Sequence, residues 1–332
     1  MTLHFLGAPR RAIVLGAVLV AGVGAGVSGR AQQQNFDNVQ VRSFKVQQNV
    51  YMLVGAGGNV TAQIGDNGVL VVDTQFAPMA DKLLAEIGRL SGNKPVRYVV
   101  NTHAHPDHVG GNERFRRSGA AIVAGNVAFE LGATIPGALI IAHENVQRRM
   151  LQEGPDQAPA DAVPTETFFD DEDEIVFDGE PIELLHQPAA HTDGDILVFF
   201  RKSDVVSTGD IFTTTNYPFI DVARKGTING IVAALNKIIR ITVPRDKQEG
   251  GTMVIPGHGR ISDEADVVEY RDMLTIIRDR ISDMKDKGMS LEQVKTARPT
   301  SDYDGRWGAT SGFWTTEMFV EAVYRTLPGG RR

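Results

Sequence analysis

Three imidazoles and a carboxylate fall within six residues of this chain, in the run Asn101-Thr102-His103-Ala104-His105-Pro106-Asp107-His108-Val109-Gly110-Gly111-Asn112. Imidazole nitrogen and carboxylate oxygen are the ligands preferred by borderline-soft divalent metals, zinc above all. The chain has eight histidines, and three of them grouped around an Asp are hard to explain by packing alone. At a strand end His103 and His105 face the same side, because side chains alternate with period two. Asp107 and His108 follow on the turn into a helix, where they can face a second ion. One short segment can therefore feed two neighbouring metals.

Four further stretches complete the pattern in chain order. Val71-Val72-Asp73-Thr74 is a strand ending in Asp, His191 lies in Ala190-His191-Thr192-Asp193-Gly194-Asp195, Asp210 follows Ser207-Thr208-Gly209, and His258 sits between Gly257 and Gly259. Glycine at such positions permits close backbone approach where loops converge on ions. Taken together, from about residue 45 to 260, these motifs resemble the signature of the metallo-β-lactamase superfamily. The resemblance implies an α/β (α+β) fold, a four-layer αββα sandwich with a C-terminal helical extension. It implies that His103, His105 and His191 hold a first zinc, that Asp107, His108 and His258 hold a second, and that Asp210 bridges both. Asp73 is then expected to fix a histidine ring through its outer nitrogen.

Two close zincs lower the pKa of a shared water. The expected reaction is attack of that hydroxide, oriented by Asp107, on an electrophilic carbonyl, the oxyanion being stabilised by metal. The substrate is expected to be a small molecule: a lactam, lactone, ester or thioester. One group of true metallo-β-lactamases uses a Cys ligand, which this chain lacks, and another lacks the bridging Asp. Gly209-Asp210 looks more like glyoxalase II and lactonases, without a basic cluster that marks a glutathione site. Two alternatives are carried: a mononuclear iron oxidoreductase resembling persulfide dioxygenases, since such ligands also suit iron, and a metal-binding accessory protein without turnover. Tyr217, Pro218 and Phe219 are expected to wall a substrate pocket, with the 55–58 loop facing them. Trp307 and Trp314 are read as core, His143 as surface, and His186 as packed or bound to a backbone carbonyl.

The elements that must position these groups follow from hydrophobic period. Strands are predicted at Val39–Val46, Val50–Val54, Val60–Ile64, Gly68–Asp73 and Val96–Asn101, with a helix over Met79–Leu90 and another over His108–Arg116. Ile122–Ala124 reads as a strand, Glu144–Leu151 as a helix, Glu153–Pro164 as an exposed loop, and the acidic run Asp170–Glu174 as a solvated turn. The second half repeats the logic, with strands at Glu174–Phe177, Ile182–His186, Ile196–Phe200, Val205–Ser207 and Met253–Ile255 and a helix over Ile228–Ile241. Residues 262–287 form a long amphipathic helix, and Ser290–Lys295 and Trp314–Leu327 two shorter ones. Residues 32–261 are thus the catalytic domain, and 262–332 a helical cap on it.

Composition sets the remaining bounds. With 332 residues, 42% hydrophobic and 23% charged, the chain is ordinary for a globular enzyme. Arg10-Arg11, an apolar run from Ala12 to Val27 and the small residues before Gln32 follow the order of a secretory signal peptide over 1–31. The run is too short and Gly-rich for a membrane span, so a periplasmic or secreted protein with no lasting membrane association is expected. The paired arginines are compatible with twin-arginine export. Removing residues 1–31 takes away three arginines and no acid, shifting the formal charge from −7 to −10. So acidic a chain is a poor partner for nucleic acid. It has no cysteine, hence no disulfide and no thiolate ligand.

Overall fold

Alternation of side chains along single strands builds the layers of this protein. The structure, a computed structural model, describes residues 35–122, 134–152, 157–248 and 250–329. The signal-like segment 1–31 lies outside them, as does part of the predicted Ile122–Ala124 strand. No helix among the described residues is long and apolar enough to cross a membrane.

Within the unit Phe36–Arg332, the first half of the chain forms β1 (Arg42–Gln47), β2 (Val50–Val54), β3 (Val60–Ile64), β4 (Val69–Val72) and β5 (Val96–Val100). A separate pair follows, β6 (Ala120–Ile122) with β7 (Thr134–Pro136), and then β8 (Leu139–His143) and β9 (Glu166–Phe168). Seven of these strands make one sheet in the order β1-β2-β3-β4-β5-β8-β9. Its first four are antiparallel neighbours, whereas β4, β5, β8 and β9 run parallel. The second sheet is β10 (Glu172–Phe177), β11 (Glu180–His186), β12 (Ile196–Phe200), β13 (Val205–Ser207), β14 (Met253–Ile255) and β15 (Ser262–Asp263), in sequence order. There only β13 and β14 are parallel.

On β4, Leu70 and Val72 face the second sheet while Val69 and Val71 face the helices of residues 80–91 and 112–118. On β12, Ile196, Val198 and Phe200 meet the first sheet, and Leu197 and Phe199 meet the helices of residues 228–241 and 264–286. Helix, sheet, sheet and helix therefore stack in four layers with three apolar seams between them, which is what strands buried on both faces require. The helix Thr316–Thr326 contributes Phe319 and Val323 to the outermost seam, so the C-terminal helices share a core with the second sheet.

Several expectations are corrected. The predicted His108–Arg116 helix is two pieces, Pro106–Val109 and Asn112–Ser118, broken where Gly111 N–H turns aside to donate to Gln75 O at 3.1 Å. Most of the acidic run Asp170–Glu174 belongs to β10, an edge strand whose charges stay in water, as charged edges commonly do. His143 is not on the surface. It is 3% exposed, caps the Glu144–Leu151 helix through Asn145 N–H, and stacks flat on His186 with centroids 3.6 Å apart. His186 Nε2 in turn lies 3.0 Å from Asp193 O.

Candidate metal centre

Parallel pairing carries the chemistry-bearing residues to the same strand ends, where loops of an α/β sheet generally meet ligands. Asp73 leaves β4 beside Asn101-Thr102-His103 leaving β5. Asp210 leaves β13 beside Gly257-His258 leaving β14. His191 joins them from the loop between β11 and β12. The result is two groups of donors, each with ligand atoms within 4.8 Å of one another: His103, His105, His191 and Asp210, and Asp107, His108 and His258.

The outer nitrogen of each ring in the first group, and of His108, is spoken for. Thr102 Oγ1 donates to Asp73 Oδ2 at 2.7 Å, so at 3.0 Å from His103 Nδ1 it accepts the ring proton. His191 Nδ1 donates to Phe219 O at 2.6 Å. His105 Nε2 donates to Asp221 Oδ2 at 3.0 Å, and His108 Nδ1 to Asp73 Oδ2 at 2.7 Å. These contacts fix the tautomers of the first group, whose inner nitrogens then present lone pairs to the centre; at His108 the carboxylates of Asp210, Asp107 and Asp73 outweigh burial and raise the ring well above its ordinary range, so there a metal must displace a proton. His191 Nε2 and His105 Nδ1 face one another at 2.9 Å. His103 Nε2, His108 Nε2 and Asp210 Oδ1 are buried without a hydrogen-bond partner. Facing lone pairs and orphaned acceptors are costly unless a cation lies among them, so the donor set fits divalent metal. Asp210 spans the groups: Oδ1 is 3.1 Å from His108 Nε2 and 3.3 Å from His258 Nε2, and Oδ2 is 3.8 Å from His191 Nε2. Asp107 Oδ2 lies 3.3 Å from His258 Nε2.

The ring environments differ in sign. Burial, with neighbouring imidazoles, drives His103 well below the ordinary range and His191 down to about 4. Burial opposes protonation of His258 too, but the carboxylates of Asp210 and Asp107 outweigh it and raise this group to about 9. Without metal, His258 is therefore a cation at neutral pH, and a metal must displace its proton. A histidine raised from 6.5 to about 9 on folding stabilises fully below pH 6.5, and that stabilisation is lost as pH rises through about 9. Chelated protein is thus expected to melt at progressively lower temperature between pH 6.5 and 9, with loaded protein nearly flat over the same span. Equal slopes in the two states would refute the assignment of His258.

Beside the donors opens a cavity of about 800 Å³. His105, Asp107, Asp210 and His258 form its floor, and Phe76, Phe219, Phe313 and Trp314 line it. Tyr217 does not: it is 1% exposed, stacks on Phe319 and lies 3.1 Å from Asp304 Oδ1, because its ring turns into the core under the C-terminal helices. Phe219 faces the cavity and stacks on the His105 ring at 25°. Trp307 is buried as expected, whereas Trp314 is half-buried and lines the cavity, its Nε1–H donating to Pro218 O. The 55–58 loop is also displaced from its expected role. It packs behind His108, with Gly58 O accepting from Gln75 Nε2 at 2.7 Å and Gly58 N–H reaching Asp107 O at 3.0 Å.

Asp221 was not apparent from sequence. It meets His105 across 116 residues and pairs with Arg224; a lone Asp three residues before an Arg carries no motif. Removing such a partner usually costs roughly 10–100-fold in metal affinity or activity. Asp221→Ala is expected to lose metal to a competing chelator by that factor, and unaltered competition would show that His105 needs no such support.

The metallo-beta-lactamase superfamily model matches residues 46–259, more than half of the chain. The chain belongs to the metallo-beta-lactamase superfamily. Among curated proteins, it is 23% identical over 239 residues to the coenzyme F420H(2) oxidase of Methanothermobacter marburgensis, covering 66% of this chain and 54% of that one. It is 24% identical over 260 residues to a linear primary-alkylsulfatase of Pseudomonas sp., covering 68% and 47%. The chain thus spans about half the length of the curated relatives it matches. Among solved structures, the sec-alkylsulfatase Pisa1 from Pseudomonas sp. shares the superfamily fold over 86% of this chain and 50% of its own, with a TM-score of 0.60 and 16% identity.

Proposed function

We propose that this superfamily member is a hydrolase that holds two zinc ions and opens a carbonyl-centred bond in a small molecule, a lactone, ester, thioester or lactam. The observation that carries the reading is the convergence of the inner nitrogens of His103, His105, His108 and His191 on the carboxylate of Asp210. Two donor groups sharing one carboxylate suit a pair of ions better than a single iron. Bound there, the metals would supply a water of lowered pKa and Lewis-acid polarisation of the scissile group. His103, His105 and His191 would hold one of them, and Asp107, His108 and His258 the other. Asp107 lies in the cavity floor, where its carboxylate would accept a hydrogen bond from the attacking water and orient it toward the substrate. Asp73, Asp221, Thr102 and Phe219 O keep the rings from rotating. The 1–31 segment supports export of the mature chain, and its acidity supports a substrate other than nucleic acid.

The alkylsulfatase resemblance favours a second reading, hydrolysis of a sulfate ester by the same centre. One experiment addresses both: elemental analysis of protein expressed from Gln32 with added metals, followed by a panel of lactams, lactones, thioesters and alkyl sulfates. About two zincs per chain with turnover of carbonyl substrates supports the first reading. Turnover of alkyl sulfates alone moves it to the second. About one iron per chain, with oxygen uptake on a persulfide, overturns both.

A further inference from the structure

Four aromatic rings from three separate segments meet at the cavity beside the metal donors, and one is held out in water. Phe313 is 78% exposed, a costly placement for a large apolar ring. It is nevertheless fixed, edge-on to Phe219 with centroids 5.1 Å apart. Trp314 meets the same Phe219 at 4.7 Å and 69°, and its indole N–H is engaged by Pro218 O at 3.1 Å, which leaves only ring surface for a ligand. Phe76 adds a further ring. Such edge-to-face groups are organised before anything binds.

The charges of the cavity point the same way. Arg224 is its only lysine or arginine among the described lining residues, and that guanidinium is paired with Asp221, which also receives the proton of His105 Nε2. Withdrawing Arg224 to bind an anionic substituent would strip its counter-charge from a buried carboxylate that orients a donor ring. Thr213, Thr215 and Asn216 line the cavity too, so the charges favour an uncharged substituent and the four rings give its apolar part a place to sit.

Building on the hydrolase reading, we propose that the substrate carries an uncharged apolar group of aryl size, seated against Phe219, Phe313 and Trp314. Phe313 and Trp314, from the loop before the last helix, set this preference.

The test compares methyl 4-phenylbutanoate with methyl butanoate on the zinc-loaded protein. The phenyl ester is expected to have a roughly tenfold or larger advantage in kcat/KM. In Phe313→Ala the advantage shrinks by about tenfold, and in Phe313→Trp it persists. An advantage missing from the native protein, or equal in Phe313→Ala, overturns the proposal. If neither ester is hydrolysed, binding of the neutral ketone 4-phenyl-2-butanone is followed by tryptophan fluorescence. Saturable binding, weakened about tenfold in Phe313→Ala, upholds the aryl site while the carbonyl-hydrolase reading falls. Absence of saturable binding overturns the aryl site itself.

Discussion

Asp210→Ser is expected to leave a protein that keeps about one metal ion per chain and loses hydrolysis by more than the roughly 100-fold typical of losing an outer hydrogen-bond partner. Oδ1 of this carboxylate serves His108 and His258, and Oδ2 turns toward His191. The first group still has three imidazoles without it. The second keeps Asp107, His108 and His258 but loses the negative charge that draws a cation toward them. That charge also holds His258 at about 9, so the imidazole becomes easier to deprotonate in the variant even as the site empties. Asp210→Asn separates charge from shape, since the amide fills the same space and retains one oxygen. Two ions per chain and native turnover in both variants would show that Asp210 does not bridge.

Gly58→Ala is expected to be strongly damaging, although the glycine supplies no ligand of its own. A methyl there stands 2.6 Å and 2.8 Å from the two ring nitrogens of His108, closer than any carbon contact allows. The ring is fully buried and tied to Asp73 at 2.7 Å, so it can yield only by breaking that bond or by pushing the loop outward. Displacing a reacting or liganding group by about 1 Å costs on the order of 100-fold in rate, and overpacking adds about 1–3 kcal/mol of destabilisation. Gly305→Ala serves as the control, because a methyl there meets nothing within 4 Å. Equal turnover and melting temperature in the two variants would mean that His108 is not confined by the backbone.

What the residues alone disclosed was what is local, while the distant donors His191, Asp210 and His258 were legible only through the family resemblance. The His103–His108 run announced itself because strand and turn geometry place neighbours together without help from the rest of the chain. Long periodic elements such as Ile228–Ile241 were equally plain. Strands β8 and β9 went unnoticed because they are short and lie beside Gly137, Pro164 and the Glu153–Pro164 stretch, which read as loop. Asp170–Glu174 misled because charge was taken to mean turn, whereas an edge strand tolerates charge on its open side. Trp314 and Tyr217 exchanged expected roles for a tertiary reason. Each lies in its own aromatic-rich stretch, and only the docking of the last helices decides which ring turns to the cavity and which to the core. Asp221 had no signal of its own, since its partner ring lies in the other half of the fold.

The donors come from both sheets: His103, His105, Asp107 and His108 follow β5 of one, while His191, Asp210 and His258 belong to loops of the other. Metal bound among them would be a cross-link between the two halves of a chain that has no cysteine. Unlike a disulfide, which constrains the unfolded chain, ions bound only in the native state stabilise it by mass action. The centre then serves as the rivet of the sandwich as well as its reactive point, so the availability of metal would govern how long the folded protein survives.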